Sequence, residues 1–86
     1  MDPWKLNRCV QRVAALNNVN PRWLLMFSPH SGKKWTITIE DRTNDEGIVC
    51  VIDEDMETGC QRALIGLAFV CQRRGWRFLG DSVETI

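Results

Sequence analysis

No strongly apolar run in this sequence is longer than Ala63–Cys71. That is about half of the roughly 20 residues a helical bilayer crossing needs, so no membrane span is expected. The opening residues, Met1-Asp2-Pro3-Trp4-Lys5, lack the basic-then-apolar order of a secretion signal, and a cytoplasmic protein is expected. Proline and glycine are scarce, at three and six residues, while 44% of the chain is hydrophobic and 26% charged. A disordered chain would have the opposite balance. There is no Cys-x-x-Cys pair, and the single histidine, His30, stands apart from the four cysteines, so a zinc site lacks its ligand spacing. Cys9, Cys50, Cys60 and Cys71 each fall within apolar patterns, which predicts reduced, buried thiols rather than disulfides. There is no net charge to drive binding to phosphates, since eleven basic residues balance eleven acidic ones.

Eighty-six residues make one small domain with a thin core. Residues 1–80 are expected to fold as that domain and 81–86 to form a flexible tail. Asp2 can cap a first helix, and Pro3 suits its first turn because proline has no N–H to leave unpaired there. Leu6, Cys9, Val10 and Val13 share one face of that helix, and Asn17-Asn18 ends it. Trp23–Phe27 is apolar throughout. The turn-rich Ser28–Gly32 directly after it favours a strand over a short helix capped by Asn20. Trp35–Glu40 alternates strictly, with Trp35, Ile37 and Ile39 on one face. Asp41–Gly47 reads as a polar turn. Ile48–Ile52 is apolar on both sides of the alternation, as a strand covered on both faces or engaged in an interface would be.

A second helix is marked by Thr58 and Gln61, which match a capping box, and by Gly75, which suits a left-handed stop with Trp76 packing back. Cys60, Ala63, Leu64, Leu67, Ala68 and Cys71 form its apolar stripe. Ile65, Phe69 and Val70 fall outside the stripe and are expected either against the first helix or at the interface of a homodimer. Trp76–Leu79 is expected as a short strand or as a segment lying on the core. The order defines an α+β, two-layer α-β-β-β-α fold: a small antiparallel three-stranded sheet with two helices on one face.

In length, element order and the position of Gly47, the chain resembles double-stranded-RNA-binding domains. Those domains start the second helix with lysines that meet phosphates. Here the stretch reads Asp53-Glu54-Asp55-Met56-Glu57-Thr58-Gly59-Cys60, which has the wrong sign, so RNA binding is not carried over. The alternative of a nucleic-acid-binding regulator would use Lys5, Arg8, Arg12, Lys33 and Lys34, with Trp23 and Trp35 as stacking platforms.

The charge is unevenly placed. Glu40, Asp41, Asp45, Glu46, Asp53, Glu54, Asp55 and Glu57 face only Arg42 within residues 40–57. Such acids favour a helix N-terminus, and they also make a surface that steers a basic protein partner. Their spacing does not fit a calcium loop, and no sequence-adjacent base or nucleophile pair points to catalysis. Ser31-Gly32-Lys33-Lys34 lacks the leading glycine of a phosphate loop. No cofactor, metal or enzymatic activity is expected.

An N-terminal helix, then Ser31-Gly32-Lys33-Lys34-Trp35-Thr36-Ile37, then a helix ending Arg73-Arg74-Gly75-Trp76 resembles small accessory proteins encoded by phages and prophages. Anti-CRISPR proteins are similar in size, and several use acidic surfaces against nucleic-acid-binding channels. The resemblance implies a non-enzymatic viral protein in a bacterial host cell. It would inhibit a defence complex such as a CRISPR effector by contacting its basic surface with the eight acids named above.

Overall fold

A computed structural model describes residues 1–18, 23–43 and 45–78. Its elements are α1 (Pro3–Leu16), β1 (Trp23–Pro29), β2 (Trp35–Asp41), β3 (Glu46–Asp53) and α2 (Met56–Arg74), the expected α-β-β-β-α order. The three strands form one antiparallel sheet in the order β1-β2-β3. Asn20, Pro21, Leu79 and the tail 81–86 lie outside the described residues.

Asp2 caps α1 as its sequence suggests, with its carboxylate accepting from the Lys5 amide at 2.8 Å. Leu6, Cys9, Val10, Val13 and Ala14 are buried on one face. β1 runs on through Ser28 and Pro29, and the hairpin turn is 30–34, closed by the His30 amide on the Lys34 carbonyl at 2.9 Å. Gly32, at φ 74°, supplies the left-handed residue that this turn requires.

The polar connection between β2 and β3 is shorter than its composition suggests. Asp41 ends β2 as a buried residue, and Glu46 and Gly47 already belong to β3. A bulge explains why β3 reads as apolar on both sides. Ile39 pairs with Val49 but Glu40 pairs with Gly47, which leaves Ile48 as the extra residue, so Ile48 and Val49 both turn into the core. Beyond the bulge the alternation resumes, and Cys50 and Ile52 are exposed while Val51 is buried. Among the described residues β3 is therefore an edge strand covered on one face, not on two. Cys50 departs from the expected burial for the same reason, whereas Cys9, Cys60 and Cys71 are buried as expected.

α2 begins two residues before the expected capping threonine. Asp55 is the cap, and its carboxylate accepts from both the amide and the hydroxyl of Thr58. Gly75 ends the helix at φ 69°, and the Trp76 amide reaches back to the Cys71 carbonyl at 2.8 Å. Trp76 lies 5.4 Å from Trp23 between ring centroids, and 76–78 follow the core without forming a strand. The helices run in parallel over one face: the Met1 amine approaches the Glu57 carbonyl at one end, and Asn17 exchanges hydrogen bonds with the Arg77 backbone at the other. α1 covers β1, and α2 covers β3.

Candidate functional site

The eight acids are divided by the strand they flank. Glu40, Asp41, Asp45 and Glu46 lie at one end of the β2–β3 hairpin, and Asp53, Glu54, Asp55 and Glu57 at the other. Seven strand steps separate Glu46 from Asp53, about 23 Å of extended chain. That exceeds two Debye lengths of about 8 Å at physiological salt, so the two groups do not act as one field.

Most of these acids are committed internally. Glu40 pairs with Arg42 at 3.7 Å, and the buried Asp41 accepts from the Thr43 amide at 2.9 Å. Glu46 is ion-paired with Arg74. Asp53 accepts from the Asp55 amide and from Arg62, both at 2.9 Å. The Asp55 amide foremost, then Arg62, holds the Asp53 carboxyl below the ordinary aspartate range. The side chain and then the amide of Thr58 do the same for Asp55. Asp45, Glu54 and Glu57 remain exposed, and none has an ion pair among the described residues. Among the described residues no three His, Cys, Asp or Glu side chains converge to hold a metal ion, and no helix is long and apolar enough to cross a membrane.

The residues of the nucleic-acid alternative are distributed differently. Lys5, Arg8, Arg12, Lys33 and Lys34 are all exposed. Trp23 is only 1% exposed and belongs to the core, so it offers no stacking platform; Trp35 is partly exposed at the end of the sheet. Trp4, outside that set, is the most exposed large hydrophobic side chain among the described residues, at 72%.

A surface that the charge pattern does not reveal lies along the outer side of α2. Ile65 is 50% and Phe69 61% exposed, so neither α1 nor the sheet covers them. Val70, the third apolar residue outside the stripe, packs on the core instead. Arg62, Ile65, Phe69 and Arg73 follow one another at spacings of three, four and four, which places them along one side of the helix. Both ends of that side meet β3. Arg62 Nη1 donates to the Ile52 carbonyl at 3.1 Å and to Asp53. Arg73 and Arg74 line a cleft of about 330 Å³ with Gly47, Ile48 and Val70. A shallower hollow of about 180 Å³ lies among Ile65, Ala68, Phe69 and Gln72. The exposed apolar pair is thus flanked by arginines along the outer side of α2, and β3 has no further neighbouring strand among the described residues.

No protein-family model matches the chain, and neither a curated protein nor a solved structure matches it.

Proposed function

We propose that this chain is a non-enzymatic protein-binding domain, acting as a stoichiometric inhibitor or adaptor. The observation that carries this reading is the exposure of Ile65 and Phe69, an apolar i, i+4 pair flanked by Arg62 and Arg73. Exposed apolar residues framed by polar ones are typical of protein contact sites. The resemblance to small phage accessory proteins supports the same class and favours a host complex as the target. Affinity capture from a bacterial lysate tests the proposal. Wild-type protein should retain a partner that Ile65→Ser and Phe69→Ser lose, although both variants should unfold within about 0.5 kcal/mol of wild type, as surface changes do. Equal retention by the variants removes this surface from the function.

A second contact surface is favoured by the exposure of Glu54 and Glu57 without ion pairs among the described residues. Located at one end of the molecule, they would steer a basic partner, such as the nucleic-acid channel of a defence complex. Glu54→Lys with Glu57→Lys should slow association without altering the fold. Reversing Asp53 or Asp55 would be a poor test, because those carboxylates hold the start of α2.

A further inference from the structure

We infer that the exposed row Glu57-Gln61-Ile65-Phe69-Arg73 of α2 is a two-fold contact between two copies of this chain, with their α2 helices antiparallel. The inference rests on the protein-binding function proposed above and names a second copy as what covers Ile65 and Phe69.

Helix geometry makes these five residues one feature. They recur every four positions, so they form a single ridge, about 24 Å long at 1.5 Å per residue. All five are exposed. Ridges of this type pack two helices by entering the groove beside the same ridge of the neighbour, the commonest helix contact in globular proteins. Such a groove is present here. Ile65 and Phe69 on the ridge, with Ala68 and Gln72 on the adjoining row, line a hollow of about 180 Å³. The short side chain of Ala68 keeps it open. These four residues stand at i, i+3, i+4 and i+7, the arrangement that surrounds an inserted side chain where two helices interlock.

Charge identifies the occupant. The ridge is acidic at one end, basic at the other and uncharged between. Glu57 and Arg73 are exposed, and neither has an ion pair among the described residues. An acidic helix laid here would oppose Glu57, and a basic one would oppose Arg73. The complement is a ridge of equal length with its charges in the reverse direction, and this chain supplies it when turned end for end. A two-fold contact demands such self-complementarity. Seating Ile65 of the second copy in the hollow brings its Arg73 to about one helical turn from Glu57 along the axis, a gap that an arginine side chain spans. A parallel pair would instead set Glu57 against Glu57 and Arg73 against Arg73. The charges therefore select the direction, and Ile65 and Phe69 supply the apolar burial, since exposed ion pairs contribute little on their own. One helix against one helix is a small interface, so monomer and dimer should exchange.

The test is sedimentation velocity on the full chain from about 1 μM to 1 mM, a range that brackets weak association. A reversible dimer is expected, with its dissociation constant raised by about tenfold or more in Phe69→Ser, as loss of a central apolar anchor does. Glu57→Arg and Arg73→Glu should each weaken self-association, because each makes the two ends of the ridge alike. Mixed in equal amounts, these two variants should recover association as a heterodimer, one ridge being basic at both ends and the other acidic. Circular dichroism and the urea midpoint verify that each variant is folded. Monomer at every concentration overturns the inference, as does a dimer that Phe69→Ser leaves unchanged or a mixture that associates no more tightly than its components. If the chain stays monomeric while Phe69→Ser still loses its captured protein, the inference falls and the protein-binding function survives with a different protein on the ridge. If the dimer forms as expected while Phe69→Ser keeps its captured protein, the contact stands and host binding through this surface falls.

Discussion

Arg62 Nη1 lies 2.9 Å from Asp53 Oδ2 while the same nitrogen donates to the Ile52 carbonyl. One guanidinium from α2 thus secures the last turn of β3, and Arg74 on Glu46 secures its first residue. The helix is fastened at both ends of β3, and between them Gly66 lies against Val49. Being exposed, these pairs add little stability on their own. Their consequence is geometric, because they fix where α2 lies over the edge.

Acid should loosen the start of α2 first. Thr58 on Asp55, and the Asp55 amide with Arg62 on Asp53, lower both carboxyl pKa values in the folded state. For a depressed carboxyl the stabilisation is fully present above the unfolded pKa of about 3.9 and disappears as pH falls through the folded value. The denaturant midpoint should therefore stay level from neutral pH to about 5 and decline below 4. Asparagine caps as well as aspartate but does not titrate. Asp55→Asn should match wild type at pH 7 and show a shallower acid limb in urea titrations. An unchanged acid limb would show that the cap is not what titrates.

Gly59 marks a close approach between α2 and the sheet. A Cβ there would stand 2.6 Å from Ile37 Cδ1 and 3.2 Å from Asp53 Cβ. Ile37 is fully buried, so its methyl has little room to retreat. Overpacking of this kind costs about 1–3 kcal/mol, and alanine's helix preference returns about 1 kcal/mol. Gly59→Ala should lose about 1 kcal/mol on balance by urea denaturation. Adding Ile37→Val, which removes Cδ1, should make the double mutant more stable than the two single effects sum to. Simple additivity would refute the contact.

Local chemistry made the fold readable where a residue acts on its own neighbours. Asp2 with Pro3 starts α1, the alternation of Trp35–Glu40 defines β2, and Gly75 stops α2, each by a mechanism complete within a few residues. The start of α2 was harder to place, because Asp55 and Thr58 are both good caps and the carboxylate of one captures both donors of the other. The bulge at Ile48 showed only as a strand apolar on both sides of its alternation, so Cys50 read as buried and β3 as doubly covered or engaged in an interface. The exposed pair on α2 was only half in view. Ile65, Phe69 and Val70 stood outside the apolar stripe, but that Val70 packs on the core while Ile65 and Phe69 stay exposed depends on how α2 is rotated over β3. The eight acids stood out by composition, yet strand length separates them and backbone amides and arginines occupy most of them.

The four thiols should separate into one reactive and three silent. Burial raises the thiol pKa of Cys9, Cys60 and Cys71, with Arg8 and Arg12 partly offsetting it at Cys9 and Arg74 at Cys71. Reaction with a disulfide reagent requires both thiolate and access, and these three lack both. Cys50 is exposed on the uncovered face of β3. Native protein should titrate one thiol quickly, with the other three appearing only at the rate of unfolding. Mass spectrometry of the labelled peptide should place the fast adduct on Cys50. Because the Cys50 side chain is exposed, a bulky adduct there should leave the unfolding midpoint unchanged. Fast labelling of a second cysteine would mean that the core around α1 and α2 opens more readily than its packing implies.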